Sequence, residues 1–266
     1  MNNNQLPQDI IDIIQKQEQK FKRTVTTKQV DKIPEKSSDY PSEASDKWLK
    51  IEDVICVYVD MKNSTQFSAS SHGATTGRIY TLFTGTAVRI FKKFGASYID
   101  IRGDGVFGLF DKNKVHSALA SAVTMKTFSK EIFVPRVIAK KADFDTGIHI
   151  GIDQRTLLAS KIGLNKTRDT TDMFNEVWAG KAVNFASKIA SYSKNDEIFV
   201  SERYYRNIKC RKALMSCACG DEVPLWNEVD TSWESKVPVN TLYKLESHWC
   251  KVHGAEYLQE IIEADG

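Results

Sequence analysis

No run of apolar residues in this chain approaches the roughly 18 needed to cross a bilayer as a helix, and no basic-then-apolar segment opens it. The expectation is a cytoplasmic protein with no direct membrane anchor. Charge of one sign is also missing: the formal net charge is +3 over 266 residues. Nothing in that balance calls for nucleic acid or an anionic surface. Cysteine is scarce, with five residues unevenly spread. An odd number in that distribution fits reduced thiols or metal ligands better than a disulfide frame. What remains is an ordinary globular composition, 41% apolar, enough to build one large domain with extensions.

Residues 1–47 form the first extension. Leu6, Ile10, Ile13, Ile14 and Phe21 fall near helical spacing among Lys, Gln and Glu, which predicts an amphipathic helix. Residues 31–47, with Pro34 and Pro41, read as a linker or surface strap. The main domain spans 48–247, with a Cys-rich insertion around 208–235, and 248–266 is a C-terminal tail.

The chemistry starts at 55–65. Ile55, Val57 and Val59 give one apolar strand face, and Cys56, Tyr58 and Asp60 give the other. After Asp60 comes a polar turn, Met61-Lys62-Asn63, and Ser64-Thr65 open a helix. A strand that delivers a carboxylate beside a helix N-terminus suits a divalent cation and phosphate oxygens together. Further on, Gly103-Asp104-Gly105 is a tight hairpin turn between short strands. Asp100, Arg102 and Asp104 share one face there, and Ile99 and Ile101 the other.

A polar stretch at 62–78 precedes a helix over about 78–93, and a second helix is expected over 113–134. A strand over 145–152 and another near 157–162 are separated by a turn. His149, between isoleucines, reads as a satisfied core or interface histidine. Residues 164–176 are polar and turn-like. The run from Gly180 enters a helix that carries Asn184 and Lys188 four apart, hence on one face. Strands at 197–200 and 241–245 close the domain. This order describes an α+β sandwich, with helices on one face of an antiparallel-rich sheet and the other face free for a partner or ligand. In the tail, Cys217-Ala218-Cys219 and Cys250-Lys251-Val252-His253 supply the ligand types and short loops of a structural Zn²⁺ site. Free thiols and a surface histidine are the alternative.

Four blocks in this order resemble the class III nucleotidyl cyclase family, over roughly residues 50–247. They are Asp60-Met61-Lys62-Asn63-Ser64-Thr65, Gly103-Asp104-Gly105-Val106, Gly147-Ile148-His149-Ile150-Gly151, and Gly180 through Lys188. The resemblance implies a ferredoxin-like core working as a head-to-tail homodimer with composite sites at its interface. Asp60 and Asp104 would hold two Mg²⁺ or Mn²⁺ ions, joined by the Met61 carbonyl. Asn63, Ser64 and Thr65 would meet the nucleoside triphosphate's phosphates. Asn184 and Lys188 of the partner chain would orient the ribose and stabilise charge on the α-phosphate.

Departures from the family pattern carry information. Asn63 stands where a glycine is usual, and Lys188 where an arginine is usual; a lysine keeps the charge and loses the planar fork. At the positions that read a purine, this chain has Asp100 and Val177, and Arg102 replaces an apolar residue. The face formed by Tyr58, Asp100 and Arg102 suits a smaller base. The block from Asn175 to Lys188, with the Met-Lys-Asn-Ser-Thr turn, is similar to the pyrimidine cyclases of bacterial Pycsar anti-phage systems. That implies UTP or CTP as substrate and a cyclic nucleotide read by a separate effector protein. A purine cyclase with atypical base contacts and a non-catalytic nucleotide-sensing homologue are the alternatives. No Gly-Gly-Asp/Glu-Glu-Phe turn of a diguanylate cyclase is found.

Overall fold

The computed structural model describes residues 6–164, 173–217, 219–232 and 240–266. The first elements are α1 (Gln8–Phe21), β1 (Thr26–Val30), β2 (Lys47–Met61), α2 (Ser64–Ala69), α3 (Gly73–Lys93), β3 (Tyr98–Arg102) and β4 (Gly105–Phe110). Then come α4 (Val115–Phe128), α5 (Val134–Ile138), β5 (Ile148–Leu164), β6 (Met173–Gly180) and α6 (Lys181–Tyr192). The chain closes with β7 (Ile198–Ser201), α7 (Glu202–Tyr205), α8 (Arg211–Leu214), β8 (Trp226–Asp230), β9 (Thr241–Leu245) and α9 (Gly254–Glu263). Among the described residues the strands make one sheet in the order β3-β4-β2-β5-β7-β9-β8, with β1 beside β2 and β6 beside β5. Only the β1–β2 and β5–β7 pairings of these are parallel. The α+β class expected from the sequence is the class observed.

The alternation in β2 decides what lies on each side of the sheet. Ile55, Val57 and Val59 are fully buried with Phe83 and Phe91 of α3 and Ala118 and Ala122 of α4. Phe91 lies so close to β4 that a Cβ on Gly108 would sit 3.0 Å from its ring.

The opposite face, carrying Cys56, Tyr58 and Asp60, is not free as the sequence suggested. α6 lies across it through buried Ala182 and Ala186. Gly151 pairs with Tyr58 across the strands, and a Cβ on it would fall 2.2 Å from the Ala186 carbonyl oxygen. The small residues let helix and sheet backbones touch. Over β4 and β3 this face carries the open clefts described below.

Three local expectations also change. The strand at 55–60 begins at Lys47: Leu49 and Ile51 are buried on the Cys56 face, and a register irregularity between Ile51 and Val54 switches the alternation. The two strands expected over 145–162 are one, β5. The polar residues taken for a turn are paired inside it: Arg155 contacts Asp153 at 2.8 Å, and Gln154 Nε2 donates to the Asp53 carbonyl at 3.1 Å. The polar stretch 62–78 contains α2 and the start of α3. Of the polar stretch 164–176, residues 165–172 lie outside the described residues, and Met173–Gly180 pairs back along β5. The helix expected in 1–30 is α1, and none of its residues is buried.

Candidate active site

Asp60 is the last residue but one of β2, opposite Gly105 on one side and His149 on the other. Asn63 then adopts a left-handed backbone (φ 57°, ψ 28°), and its carbonyl accepts the Phe67 amide at 2.9 Å, which turns the chain into α2. Asn63 Nδ2 donates to the Asp145 carbonyl at 2.8 Å, and Lys62 Nζ pairs with Asp145 Oδ1 at 2.8 Å. The turn is therefore tied to the segment entering β5. Across the sheet, Gly103 at φ 67° makes the tight β3–β4 turn that presents Asp104. Ser64 Oγ donates to Asp104 Oδ2.

Asp60, Met61, Asn63, Ser64, Thr65, Asp104 and His149 wall a cleft of about 600 Å³. Burial, and then the Asp104 carboxylate, push the Asp60 carboxyl up to about 6. Neighbouring carboxylates with no intervening base are unfavourable alone and become favourable around a cation. The donor set is all oxygen, which suits Mg²⁺ or Mn²⁺.

A second cleft, about 410 Å³, lies beside the first. Tyr58, Arg102, Phe107, Val177, Trp178 and Asn184 are in its wall. Tyr58 joins the two: a Cβ on Gly105 would meet Tyr58 Oη at 2.2 Å and Asp60 Oδ1 at 3.2 Å. Burial, and then Asp60, push the Tyr58 phenol up, so it stays a neutral donor. Arg102 Nη2 is 2.6 Å from Asp100 Oδ2. The angles of that contact are poor for a hydrogen bond, and the buried oxygen has no other donor. We read the pair as an ion pair with acceptor capacity left on Asp100. Asn184 Nδ2 donates to the Gly180 carbonyl at 3.3 Å. Lys188 is exposed, one turn further along α6.

The structure thus brings the metal-type and phosphate-type residues into one cleft and Tyr58 and Arg102 with Asn184 into another, while Asp100 lines neither and reaches the second only through its contact with Arg102. Lys188 lines neither.

Sequence reasoning missed two contributors, Trp178 and His149, and one contact, that of Ser64, expected on the phosphates, with Asp104. Trp178 fills one side of the second cleft and contacts Tyr98, ring centroids 4.8 Å apart. His149 has the satisfied bond expected of it, since Nδ1 donates to the Ser193 carbonyl at 2.6 Å. Burial holds it below the ordinary histidine range, hence neutral. It nevertheless walls the carboxylate cleft. Its register opposite Asp60 was the available signal, and reading it requires the β2–β5 pairing.

Cys217, Cys219, Cys250 and His253 converge far from these clefts in the chain, with their ligand atoms all within 4.8 Å of one another.

A family model described as adenylate and guanylate cyclase catalytic domain matches residues 48–232. The chain is 34% identical over 236 residues to a uridylate cyclase of Propioniciclava tarda, covering 86% of this chain and 75% of that one. It is 35% identical over 231 residues to a uridylate cyclase of Micromonospora echinofusca, covering 82% and 72%. Among solved structures, the guanylate cyclase domain of RhGC from Catenaria anguillulae in complex with GTP superposes with a TM-score of 0.58 at 18% identity, covering 75% of this chain and 98% of that one.

Proposed function

The chain belongs to the adenylate and guanylate cyclase catalytic domain family, a nucleotidyl cyclase, and on that premise we propose that it converts UTP to 3′,5′-cyclic UMP and pyrophosphate. The observation that carries the pyrimidine reading is the second cleft. Tyr58, Phe107 and Trp178 crowd it, and its polar groups include Arg102, with Asp100 beside it, Asn184 and Ser187. Arg102 donates to a pyrimidine carbonyl, and Asp100 accepts from uracil N3–H or cytosine N4–H₂. The relatives, both uridylate cyclases, favour UTP over CTP.

In this reading Asp60 and Asp104, with the Met61 carbonyl, hold two Mn²⁺ or Mg²⁺ ions. Bound there, the cations supply charge neutralisation for the triphosphate and a lower pKa for the ribose 3′-hydroxyl. The 3′-oxygen attacks the α-phosphorus and pyrophosphate leaves. Ser64 orients Asp104, and Asn63 and Thr65 offer amide and hydroxyl donors to the phosphates. His149, neutral, adds a ring edge to the wall without adding charge.

One chain holds the carboxylate cleft and the base cleft side by side, both open to solvent. A head-to-tail homodimer would set the carboxylates of one protomer against Tyr58, Arg102, Asn184 and Lys188 of its partner. Lys188, exposed in one chain, then has a task on the α-phosphate. We place the enzyme in the cytoplasm as a source of second messenger in anti-phage defence, with its product read by a separate effector. The cluster of Cys217, Cys219, Cys250 and His253 suits Zn²⁺ and stands apart from this chemistry.

Incubating the purified chain with each of the four ribonucleoside triphosphates and Mn²⁺ tests the proposal. Cyclic UMP is expected to dominate. Cyclic AMP or cyclic GMP as the main product overturns the pyrimidine reading. Nucleotide binding without turnover, unaffected by Asp60→Ala, would make the chain a sensor.

A further inference from the structure

The two ends of the Cys/His cluster are prepared separately. Cys217 and Cys219 sit on a loop closed by Arg211 and Glu222, whose side chains make paired contacts of 3.1 and 2.9 Å. The backbone closes the same loop: Ser216 N donates to Val223 O at 2.8 Å and Leu225 N to Leu214 O at 2.9 Å. Cys250 and His253 form the turn that starts α9. Gly254 N donates to the Cys250 carbonyl at 2.8 Å, and the His253 amide points at Cys250 Sγ from 3.5 Å. Backbone N–H aimed at sulfur favours a thiolate ligand.

The distances between the ligand atoms are those of a coordination shell. Cys217 and Cys219 Sγ are 3.5 Å apart, and Cys219 and Cys250 Sγ 3.6 Å. His253 Nδ1 is 3.3 Å from Cys217 Sγ and 3.0 Å from Cys219 Sγ. A tetrahedron with Zn–S bonds of about 2.3 Å has sulfur edges of about 3.7 Å. A disulfide needs about 2.05 Å and would use two of the thiols only.

From this cluster α9 runs along α4. Ile261 is buried in the main core, and Lys212 of α8 pairs with Glu260. Trp249, just before the cluster, donates from Nε1 to Thr124 Oγ1 of α4 at 3.0 Å. At the far end Asp265 supplies the cap that α4 lacks locally. Its Oδ1 accepts the His116 amide at 2.8 Å, and its Oδ2 accepts the Ser117 amide at 2.7 Å. His116 Nδ1 lies 2.9 Å from the same carboxylate, while its Nε2 accepts the Lys209 and Cys210 amides, each at 3.2 Å.

We infer that one Zn²⁺ per chain, held by Cys217, Cys219, Cys250 and His253, is one pin of a two-pin clamp that fastens residues 248–266 onto α4, the Asp265 cap on His116 and Ser117 being the other. Zinc replaces the contact area that a short loop and a ten-residue helix lack. Losing the metal frees the start of α9 and leaves Asp265, Ile261 and the Trp249–Thr124 bond to hold the segment.

This inference does not depend on the cyclase reading, and its test reads metal and exchange rather than turnover. The full-length protein is dialysed against EDTA to strip weakly held cations and analysed for metal. One zinc per chain is expected. Protein produced with Co²⁺ in place of zinc is expected to show thiolate-to-cobalt charge-transfer bands. Cys250→Ser and His253→Ala are expected to lose the metal and to speed hydrogen exchange in 254–266 and in the first turn of α4, whereas Cys210→Ser keeps both unchanged. Metal-free protein with all thiols reduced, or an intact mass showing a disulfide, overturns the proposal. If the variants fail to fold, metal content and the cobalt spectrum of the natural chain still decide it. Zinc-loaded protein that makes no cyclic nucleotide leaves this inference standing and removes the functional one.

Discussion

Two groups of ligand-type side chains, Asp60 with Asp104 and Cys217, Cys219, Cys250 with His253, sit in very different surroundings. The carboxylates stand in a cleft of about 600 Å³, on the face that α6 only partly covers. Burial and mutual repulsion hold Asp60 up at about 6. The thiols and imidazole are drawn together at the base of α9, which packs on α4 behind the opposite face. The first group is hard, open and unfavourable until a cation arrives; the second is soft and closed on itself. An exchangeable, substrate-bearing cation needs the first arrangement, and a permanent one needs the second. On the proposed function, the front of the molecule gives up stability for chemistry, and on the proposed clamp, the back supplies stability without touching it.

The largest expected effect breaks that division at the front. Asp104→Asn keeps the shape of the side chain and removes its charge. Turnover of UTP is expected to fall about 10³-fold or more, with zinc content and melting temperature near those of the parent. Cyclic nucleotide measured by chromatography decides it. A variant that cyclises UTP at close to the parental rate removes Asp104 from the metal centre.

The mirror test is at the back. Asp265→Ala deletes the distant cap of α4 and leaves two amides without their acceptor. A loss of about 2–3 kcal/mol in unfolding free energy is expected, from capping and the buried hydrogen bonds together. Turnover per folded molecule is expected to hold. Burial pushes the Asp265 carboxyl up, but the bonds from His116 and Ser117 outweigh it and hold it below its ordinary value. A lowered carboxylate pKa contributes stability that is complete above the unfolded value and lost as pH falls through the folded one. The gap between parent and variant in urea titrations is therefore expected to close in acid.

Asp60→Asn should have the opposite sign. The Asp60 pKa is raised, to about 6, so the folded chain is stable with the proton on and loses stability as pH rises through 6. Removing the charge is expected to raise the stability of the metal-free protein at pH 8 by about 1–2 kcal/mol, discounted for the partial exposure of the group. The gain is expected to vanish below pH 4. Turnover disappears with it. A variant less stable than its parent at pH 8 would mean that the cleft stores no repulsion.

What could be read from the chain follows the same front-and-back division. Each carboxylate block is local: strand, Asp and turn lie within ten residues, so period and turn chemistry suffice. The α6 block was equally legible, since Asn184 and Lys188 share a helix face by spacing alone. The Cys-x-Cys and Cys-x-x-His pairs showed their ligand types. The clamp they belong to did not show, because His116 and Asp265 are 149 residues apart. Nor did the continuity of β5, where Asp153 and Gln154 have the composition of a turn. Their partners are Arg155 and the carbonyl of Asp53, and only the latter's strand pairing reveals that they are buried. The half-covered face was misjudged for a related reason. Gly151 gives no side-chain signal, yet its missing Cβ is what admits α6.

The smallest effect probes the seam between the two front clefts, where Tyr58 links the carboxylates to the base-reading residues. Gly105→Ala places a methyl where Tyr58 Oη now lies, 2.2 Å from the new carbon, with Asp60 Oδ1 at 3.2 Å. The backbone at Gly105 is ordinary strand, so no left-handed strain is added. The phenol end of Tyr58 has to move, since its Cζ would also lie 2.8 Å from the new carbon, and Asp60 Oδ1 has to give by a few tenths of an ångström. KM for UTP is expected to rise several-fold, about 1 kcal/mol of binding. kcat should change less, because Asp60 has only a few tenths of an ångström to give, and the melting temperature should stay within a few degrees. Tyr58→Phe, which removes the hydroxyl and with it the closest contact, is expected to restore part of the lost affinity when combined with Gly105→Ala. A combined loss equal to the sum of the two single losses would show that Tyr58 and Gly105 do not meet, and that the base cleft is bounded by something else.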